Sequence, residues 1–187
     1  MEIKTSEFVI SNTNYKKCPS PKIPEYAFIG RSNVGKSSLV NALTNKKNLA
    51  KISAKPGKTQ LINHFIINKK WYLVDLPGYG FAKISKKKKA DFQKMTKDYL
   101  LNRANLICLF VLIDSRLKPQ NIDQEFMQWL SKEKIAFVMV FTKSDKLGKI
   151  ALMKNIQDYN TKMLKKWEEL PKSFITSAKK KTGLNEI

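Results

Sequence analysis

Arginine is scarce in this sequence, and the scarcity limits how the chain can recognise a partner. It occurs only at Arg31, Arg103 and Arg116, so the other 33 of the 36 basic residues are lysine. Lysine suits salt-sensitive binding of phosphates. Recognition of individual bases is better suited to the forked side chain of arginine. A formal net charge of +21 predicts a polyanionic partner, and ribosomal RNA fits best. Compositional drift towards lysine would produce the same excess.

Cysteines and long apolar runs are also few. Cys18 and Cys108 show neither metal-binding nor redox spacing, and Cys108 lies in an apolar run that predicts burial in the core. No run approaches the roughly 18 to 20 apolar residues that a membrane span needs, and the first residues lack the apolar segment of a signal peptide. We therefore expect a cytoplasmic protein without a membrane segment.

Residues 30–37 carry the most informative motif. They match the pattern G-x-x-x-x-G-K-[ST], after an apolar run and before a helix-like segment. In such a loop the backbone N–H groups surround a polyphosphate, Lys36 contacts its outer phosphates and the Ser37 hydroxyl reaches a Mg²⁺ ion. A chance match in a polar turn is the alternative. The predicted phosphate-binding residues are Gly30, Arg31, Ser32, Asn33, Val34, Gly35, Lys36, Ser37 and Ser38.

A second motif indicates which base is bound. Thr142, Lys143, Ser144 and Asp145 follow a strand-like apolar run, and ligands bind at the carboxyl ends of strands in open α/β sheets. The Asp145 carboxylate can accept hydrogen bonds from N1–H and the exocyclic amine of guanine, while the Lys143 stem covers the base. Adenine would leave that carboxylate unpaired, at a cost of about 1 to 3 kcal/mol. The motif therefore predicts GTP over ATP.

Two more strand ends complete the nucleotide site in sequence order. The run from Trp71 ends in D-x-x-G, in which Asp75 can hold Mg²⁺ through water and the Gly78 amide can meet a γ-phosphate. A later strand-like run ends in S-A-K, whose amides can contact the guanine carbonyl oxygen. Nucleotide contacts are predicted for Asp75, Leu76, Pro77, Gly78, Thr176, Ser177 and Ala178.

The loop that closes over a γ-phosphate needs a threonine, and the candidate is Thr59 in P-G-K-T-Q. Its hydroxyl and carbonyl can complete a Mg²⁺ shell only when the γ-phosphate is present, which makes the segment a switch. A simple Pro-Gly turn is the alternative. The predicted contacts in this loop are Gly57, Lys58 and Thr59. The predicted metal ligands are Ser37, Thr59 and Asp75, and the predicted catalytic residues are Lys36, Thr59 and Gly78.

With these five motifs, the chain resembles the bacterial ribosome-assembly GTPases called EngB, YihA or YsxC, from about Phe8 to Glu186. The shared segments are GRSNVGKSS at 30–38, KPGKTQ at 55–60, DLPGYGFA at 75–82, TKSD, and SAKKKTG near the end. The resemblance implies binding of GTP and GDP with Mg²⁺ and assistance in late assembly of the large ribosomal subunit. Its implied partners are the precursor of that subunit and its rRNA.

Hydrolysis is expected to be slow because Tyr79 follows Gly78, where Ras-like enzymes carry the glutamine that orients water. Asn33 is a candidate helper, since related GTPases with asparagine here hold a potassium ion beside the phosphates. An equally weighted alternative is that Asn33 simply tolerates a left-handed turn.

Two rival functions are a signalling GTPase and a nucleotide-binding module with negligible hydrolysis. The signalling GTPase is disfavoured because Glu2 and the terminus match no lipidation motif.

A lysine cluster follows the DLPGYGFA segment. It comprises Lys83, the run Lys86–Lys89, Lys94 and Lys97. One hypothesis places RNA contact here, beside the loop that senses the nucleotide, and the other regards the cluster as a solvated helix face.

Strand-like and helix-like segments alternate along the chain, which predicts an α/β fold. The nucleotide motifs and the family resemblance imply that this fold is a three-layer P-loop NTPase of the Ras-like type. The sheet is expected to be mostly parallel, with one antiparallel edge from a hairpin of 61–67 and 71–75. Predicted helices cover 36–44, 89–101, 121–132 and 150–169. We expect one monomeric domain over 1–187, with an N-terminal extension of about 1–22 and a C-terminal helix that begins at Thr182 and is cut short after its first turn.

Overall fold

The computed structural model describes residues 2–50, 61–79 and 86–187. The strands are β1 (Ser6–Asn12), β2 (Glu25–Gly30), β3 (Ile62–Ile67), β4 (Trp71–Asp75), β5 (Leu106–Asp114), β6 (Phe137–Thr142) and β7 (Ser173–Ile175). The helices are α1 (Lys36–Leu43), α2 (Lys86–Asn102), α3 (Asn121–Lys132) and α4 (Lys149–Leu164). Each of these strands and helices corresponds to a predicted one.

The main error in the predicted boundaries concerns α4, which ends at Leu164 and not near residue 169. The Met163 carbonyl accepts the backbone N–H groups of both Lys166 and Trp167, which closes the last turn. Trp167 then packs edge-on against Phe137, with 5.9 Å between the ring centroids. Burial of this indole against the start of β6 therefore takes the chain out of the helix.

The seven strands form one sheet in the order β1-β3-β4-β2-β5-β6-β7. The five strands from β4 to β7 in this order are parallel to one another, whereas β3 is antiparallel to both β4 and β1. The predicted fold class is confirmed, including antiparallel pairing at one edge. The outermost strand there is β1, so part of the predicted N-terminal extension belongs to the sheet.

Helices cover both faces of the sheet and make three layers. In β2, Ala27 and Ile29 pack towards α2, α3 and α4, whereas Phe28 packs towards α1. Strands with both faces buried form nearly continuous apolar runs, as residues 26–29 of β2 do. Cys108 is half-buried beside the α1 layer. Leu184 and Ile187 also pack on that layer, and no helix forms after Thr182 in the described residues.

The parallel strands bring their carboxyl ends to the same edge of the sheet. In register, Phe28 lies beside Asp75, Gly30 beside Leu112, and Asp114 beside Thr142. The loop after β2 therefore emerges between the loops after β4 and β5. This is the point where strand order reverses and where open α/β sheets bind their ligands.

The opposite side of the sheet, where the parallel strands begin, is called the amino edge here. It contains a buried ionic network around Glu25, which is completely buried. Its carboxylate accepts hydrogen bonds from Tyr99 Oη at 2.6 Å and Arg103 Nε at 3.1 Å, and it lies 3.2 Å from His64 Nε2. Burial alone would raise the pKa of Glu25, but the hydrogen bonds from His64, Arg103 and Tyr99 outweigh it and lower the pKa to about 2. The network joins β2 to β3 and α2.

The free energy of unfolding should therefore decrease in acid through Glu25. Its pKa is about 2 in the folded chain against an ordinary value of 4.5, so the contribution is complete above pH 4.5 and is lost as the pH falls towards 2. At 1.36 kcal/mol per pKa unit the contribution is at most about 3 kcal/mol, of which about 1 kcal/mol is lost by pH 3.5. Urea unfolding at pH 6 and 3.5 measures the loss, which should be smaller in Glu25→Gln. Glu7→Gln, at an exposed position, is the control. Equal losses in all three chains would contradict the prediction.

Candidate functional site

The glycine loop between β2 and α1 has the backbone geometry of an anion site. Asn33 and Gly35 have left-handed φ values of 63° and 103°, and α1 begins at Lys36 without a side-chain cap. The first amides of an α-helix have no intrahelical acceptor and form the positive end of its dipole. Alternating left-handed residues turn further amides into one concavity. The loop can therefore bind a polyphosphate.

Three contacts fix this loop to the rest of the molecule. Val34 is 3% exposed and packs in the core on the α1 face. Its carbonyl accepts a hydrogen bond from Thr142 Oγ1 at 2.7 Å, and the Asn33 carbonyl accepts one from Lys143 Nζ at 2.5 Å. The phosphate motif and the base motif, over a hundred residues apart in sequence, are thus bonded directly.

Two glycines are required by close packing. A Cβ at Gly30 would lie 2.8 Å from the Leu112 carbonyl oxygen, and a Cβ at Gly78 would lie 2.7 Å from the Gly30 carbonyl oxygen. Gly78 therefore lies directly against the phosphate loop, as the D-x-x-G pattern predicts for a residue near the γ-phosphate. The next residue extends the contact, because the Tyr79 N–H donates to the Gly30 carbonyl at 3.1 Å.

Lys36 and Asp75 form a buried ion pair at the start of α1 and the end of β4. Their residues are 8% and 2% exposed, and the ammonium donates to a carboxylate oxygen. The predicted phosphate ligand and the predicted metal ligand thus meet at one point. Ser37, the next residue of α1, is partly exposed beside them.

The base motif is held by the strand that follows it. Asp145 Oδ1 accepts a hydrogen bond from Ser177 Oγ at 2.6 Å, and Ser177 Oγ in turn accepts the N–H of Lys180 at 3.0 Å. The bond from Ser177 is the main cause that lowers the pKa of Asp145, so the carboxylate is ionised at neutral pH. The Ser144 N–H donates to the Thr176 carbonyl at 3.1 Å. An ionised acceptor beside these predicted contacts suits the guanine edge.

The last two residues of the SAKKKTG segment, Thr182 and Gly183, have a structural role that was not predicted from the sequence. Ser177 and Thr182 exchange backbone hydrogen bonds of 3.1 and 3.2 Å, which closes the loop that contains Ala178. A Cβ at Gly183, whose φ is 68°, would lie 2.0 Å from the Ile175 carbonyl oxygen. The terminal glycine therefore allows the chain to turn back over β7.

Asp114 and Arg116 were not among the predicted site residues. Asp114 ends β5 and bonds to Arg116 Nη2 at 2.7 Å and to Lys143 Nζ at 2.9 Å. Burial would raise the pKa of Asp114, but the hydrogen bonds from Arg116 and Lys143 lower it overall. The signal was available, because Asp114 is a charged residue at the carboxyl end of an apolar strand.

Tyr79 is buried in the core on the face of the sheet that α2, α3 and α4 cover. Its ring lies 4.6 Å from Phe126 between centroids, and its residue is 9% exposed. Asp123 lies near the Tyr79 hydroxyl, and burial raises the pKa of Asp123 to about 6. The Tyr79 hydroxyl and the charge of Arg31 lower this pKa but do not outweigh the burial. The Tyr79 hydroxyl and Asp123 Oδ1 have no hydrogen-bond partner of normal geometry among the described residues. Tyr79 therefore occupies the glutamine position as a core residue.

Several predictions lie outside the described residues. Gly57, Lys58 and Thr59 are there, as is Lys83, and α2 begins at Lys86. Within the described ranges, no group of three or more His, Cys, Asp or Glu side chains could hold a metal ion. In the same ranges no helix is long and apolar enough to cross a membrane.

Comparison with known proteins identifies the family. The profile of a family described as 50S ribosome-binding GTPase matches residues 25–143. A protein of Christiangramia forsetii, named probable GTP-binding protein EngB, is 61% identical over 187 residues, which cover 100% of this chain and 94% of the relative. The chain belongs to the EngB family of GTP-binding proteins. It is a GTPase, because it carries the GTPase domain of that family. An EngB relative from Porphyromonas gingivalis is 58% identical and is covered to 93%.

Solved structures agree with this EngB assignment. The crystal structure of a probable GTP-binding protein EngB aligns with a TM-score of 0.69 at 25% identity, over 87% of this chain and 93% of the other. Era in complex with MgGDPNP and nucleotides 1506–1542 of 16S ribosomal RNA aligns with a TM-score of 0.68 at 27% identity, over 88% of this chain and 54% of Era.

Proposed function

We propose that the chain binds and hydrolyses GTP while it assists assembly of the bacterial large ribosomal subunit. The observation that carries the nucleotide part is the direct bonding between the phosphate loop and the T-K-S-D motif, with Asp145 ionised and oriented by Ser177. The ribosomal part is supported by the family described as 50S ribosome-binding GTPase and by the excess of lysine.

In this proposal the phosphates lie against the N-terminus of α1. The amides of the glycine loop donate to the phosphate oxygens, and Lys36 exchanges its contact with Asp75 for the outer phosphates. The Gly78 amide, held against the loop by packing, donates to the γ-phosphate. The proposed catalytic residues are therefore Lys36, Gly78 and, from the sequence alone, Thr59.

The residues present fit a Mg²⁺ ion bound together with substrate phosphates. Mg²⁺ is usually held by one or two protein oxygens plus phosphates and water, and not by a cage of side chains. Ser37 directly follows Lys36, whose ammonium contacts the Asp75 carboxylate, and Ser37 and Asp75 both carry hard oxygen donors; we add Thr59 from the sequence. When bound, the ion neutralises charge on the β- and γ-phosphates.

Slow intrinsic hydrolysis follows from the position of Tyr79. A side chain that packs against Phe126 in the core is not placed to orient a water beside the γ-phosphate. Rate enhancement must then come from another source of charge or from a partner that positions the water. We propose that the large-subunit precursor supplies it, and that the protein acts as a cytoplasmic monomer on that particle.

Hydrolysis should require Mg²⁺ and be faster in potassium than in sodium if Asn33 holds a cation. The structure gives Asn33 a left-handed φ of 63° and an exposed side chain, so its amide is accessible from solvent. Single-turnover GTP hydrolysis in each salt, with and without large subunits, measures both effects. Equal rates in the two salts with a silent Asn33→Ala variant would remove the potassium role and leave the GTPase unaffected. No hydrolysis under any condition would leave a nucleotide-binding module.

Asp145→Asn should shift base preference from guanosine to xanthosine nucleotides, because the C2 carbonyl of xanthine needs a donor where guanine needs an acceptor. Affinity for GDP should fall about 10- to 100-fold, as expected from a loss of roughly 1.5 to 3 kcal/mol per charged hydrogen bond. Fluorescence titration with GDP, XDP and ADP measures the change. Asp158→Asn, on the exposed surface of α4, removes the same charge as a control. If the parent chain bound ATP and GTP equally, the base assignment would be wrong.

Association with large subunits should depend on Lys86–Lys89, which open α2 after the nucleotide-sensing loop. Replacement of all four by glutamine should weaken binding and reduce the log-log salt slope by about one for each RNA phosphate that is no longer neutralised. Co-sedimentation over a salt series measures both, in GTP and in GDP. GTP affinity should change little, because the motifs that contact nucleotide are intact.

The control variant removes four lysine charges from the segments that lead into β6 and β7. Lys132, Lys134, Lys165 and Lys166 are exposed and precede β6 and β7. Their replacement by glutamine should weaken subunit binding less than the change in α2 does. Equal weakening by both sets would mean that net charge alone acts, and RNA contact would have to be sought elsewhere.

A further inference from the structure

Asp114 lies at the centre of the nucleotide-binding edge without being one of its predicted ligands. Its side chain is 7% exposed, and its two oxygens accept four hydrogen bonds. Oδ1 accepts from Arg116 Nε at 2.9 Å and from the Arg116 backbone N–H at 3.1 Å. Oδ2 accepts from Arg116 Nη2 at 2.7 Å and from Lys143 Nζ at 2.9 Å. A carboxylate has about four acceptor positions, so Asp114 has none left for a nucleotide.

The contact with Lys143 connects Asp114 to the phosphate loop. Lys143 Nζ donates both to Asp114 and, at 2.5 Å, to the Asn33 carbonyl. Between its two ends the lysine stem crosses Gly35, where a Cβ would lie 3.4 Å from Lys143 Cε. A free lysine side chain samples many rotamers, and ordering it is costly. The two acceptors therefore determine where this stem lies.

We propose that Asp114 is a positioning residue for nucleotide binding, which holds the Lys143 stem across the phosphate loop so that the base and phosphate subsites form one rigid site. The inference rests on the guanine-nucleotide site proposed above. Asp114 acts through Lys143 and does not touch the nucleotide. Arg116, whose side chain is 44% exposed, also bonds to the carboxylate from the solvent side.

The consequence is kinetic. When Asp114 holds the Lys143 side chain in one conformation, the stem is already in place over the bound base. Loss of that restraint should therefore increase the dissociation rate of the nucleotide. Asp114→Asn keeps the shape but removes the charge that attracts the ammonium, and charge-assisted hydrogen bonds are the stronger kind. We expect GDP to dissociate about tenfold faster. The ratio of GDP to IDP affinity should stay unchanged, because Asp145 is intact.

Stopped-flow dissociation of a fluorescent GDP analogue tests the proposal. The chains compared are the parent, Asp114→Asn, Lys143→Met, the double variant, and Asp158→Asn as an exposed control of equal charge. Asp114→Asn should accelerate dissociation in the parent and have little further effect in Lys143→Met. Dissociation from Asp114→Asn at the parent rate, or an equal acceleration in the Lys143→Met background, would overturn the proposal.

Arg116→Gln covers the case in which Asp114→Asn does not fold. It leaves the bond between Asp114 and Lys143 in place, so GDP should dissociate within about twofold of the parent rate, as the proposal gives Lys143 the main role. A tenfold acceleration by Arg116→Gln would assign the effect to arginine and overturn the proposal. If the parent itself bound no guanine nucleotide, the proposed function would fail. If the parent bound GDP and the Asp114 variants matched it, only this inference would fail.

Discussion

The attachment of the phosphate loop to the end of β6 is the constraint on which the candidate site depends. The loop contains left-handed residues at Asn33 and Gly35, which no regular element stabilises. Thr142 and Lys143 donate to the carbonyls of Val34 and Asn33, and the burial of Val34 adds a third contact. Because the motif predicted to recognise the base also holds the loop, the predicted phosphate and base subsites are bonded directly to each other. That coupling preorganises the site for a whole nucleotide.

Close backbone packing makes the same site responsive. Gly78 lies so near the Gly30 carbonyl that no side chain fits between them, and the following residue bonds to that carbonyl. The start of the segment after β4 is therefore in contact with the loop that would hold the phosphates. Lys36 and Asp75 meet beneath it with opposite charges. Under the proposed function, a bound γ-phosphate competes for both the Gly78 amide and the Lys36 ammonium.

The buried ionic network and the candidate nucleotide site lie at opposite ends of the strands. At the amino edge Glu25 is completely buried and pairs with residues of β3 and α2, the elements that follow the two segments predicted to sense the nucleotide. At the carboxyl edge Asp114 is also buried, but the side chains of its partners Arg116 and Lys143 are 44% and 25% exposed. Breaking a fully buried pair is costly, commonly about 3 to 5 kcal/mol. Separating the Glu25 network should therefore cost more than separating Lys143, whose side chain is 25% exposed, from Asp114.

The sequence by itself determined the fold class, the family and the order of the nucleotide motifs, because strand periodicity and motif spacing are local properties of the chain. The ligand roles of the site residues remain predictions, and Thr59 lies outside the described residues. Tertiary structure alone decided the partners of Asp114, the burial of Tyr79 beside Asp123 and the end of α4 at Leu164. These depend on which strands become neighbours and on which side chains then compete for the same space. Asp114 and Lys143 are 29 residues apart in the chain, and only the parallel pairing of β5 with β6 brings them within hydrogen-bonding distance.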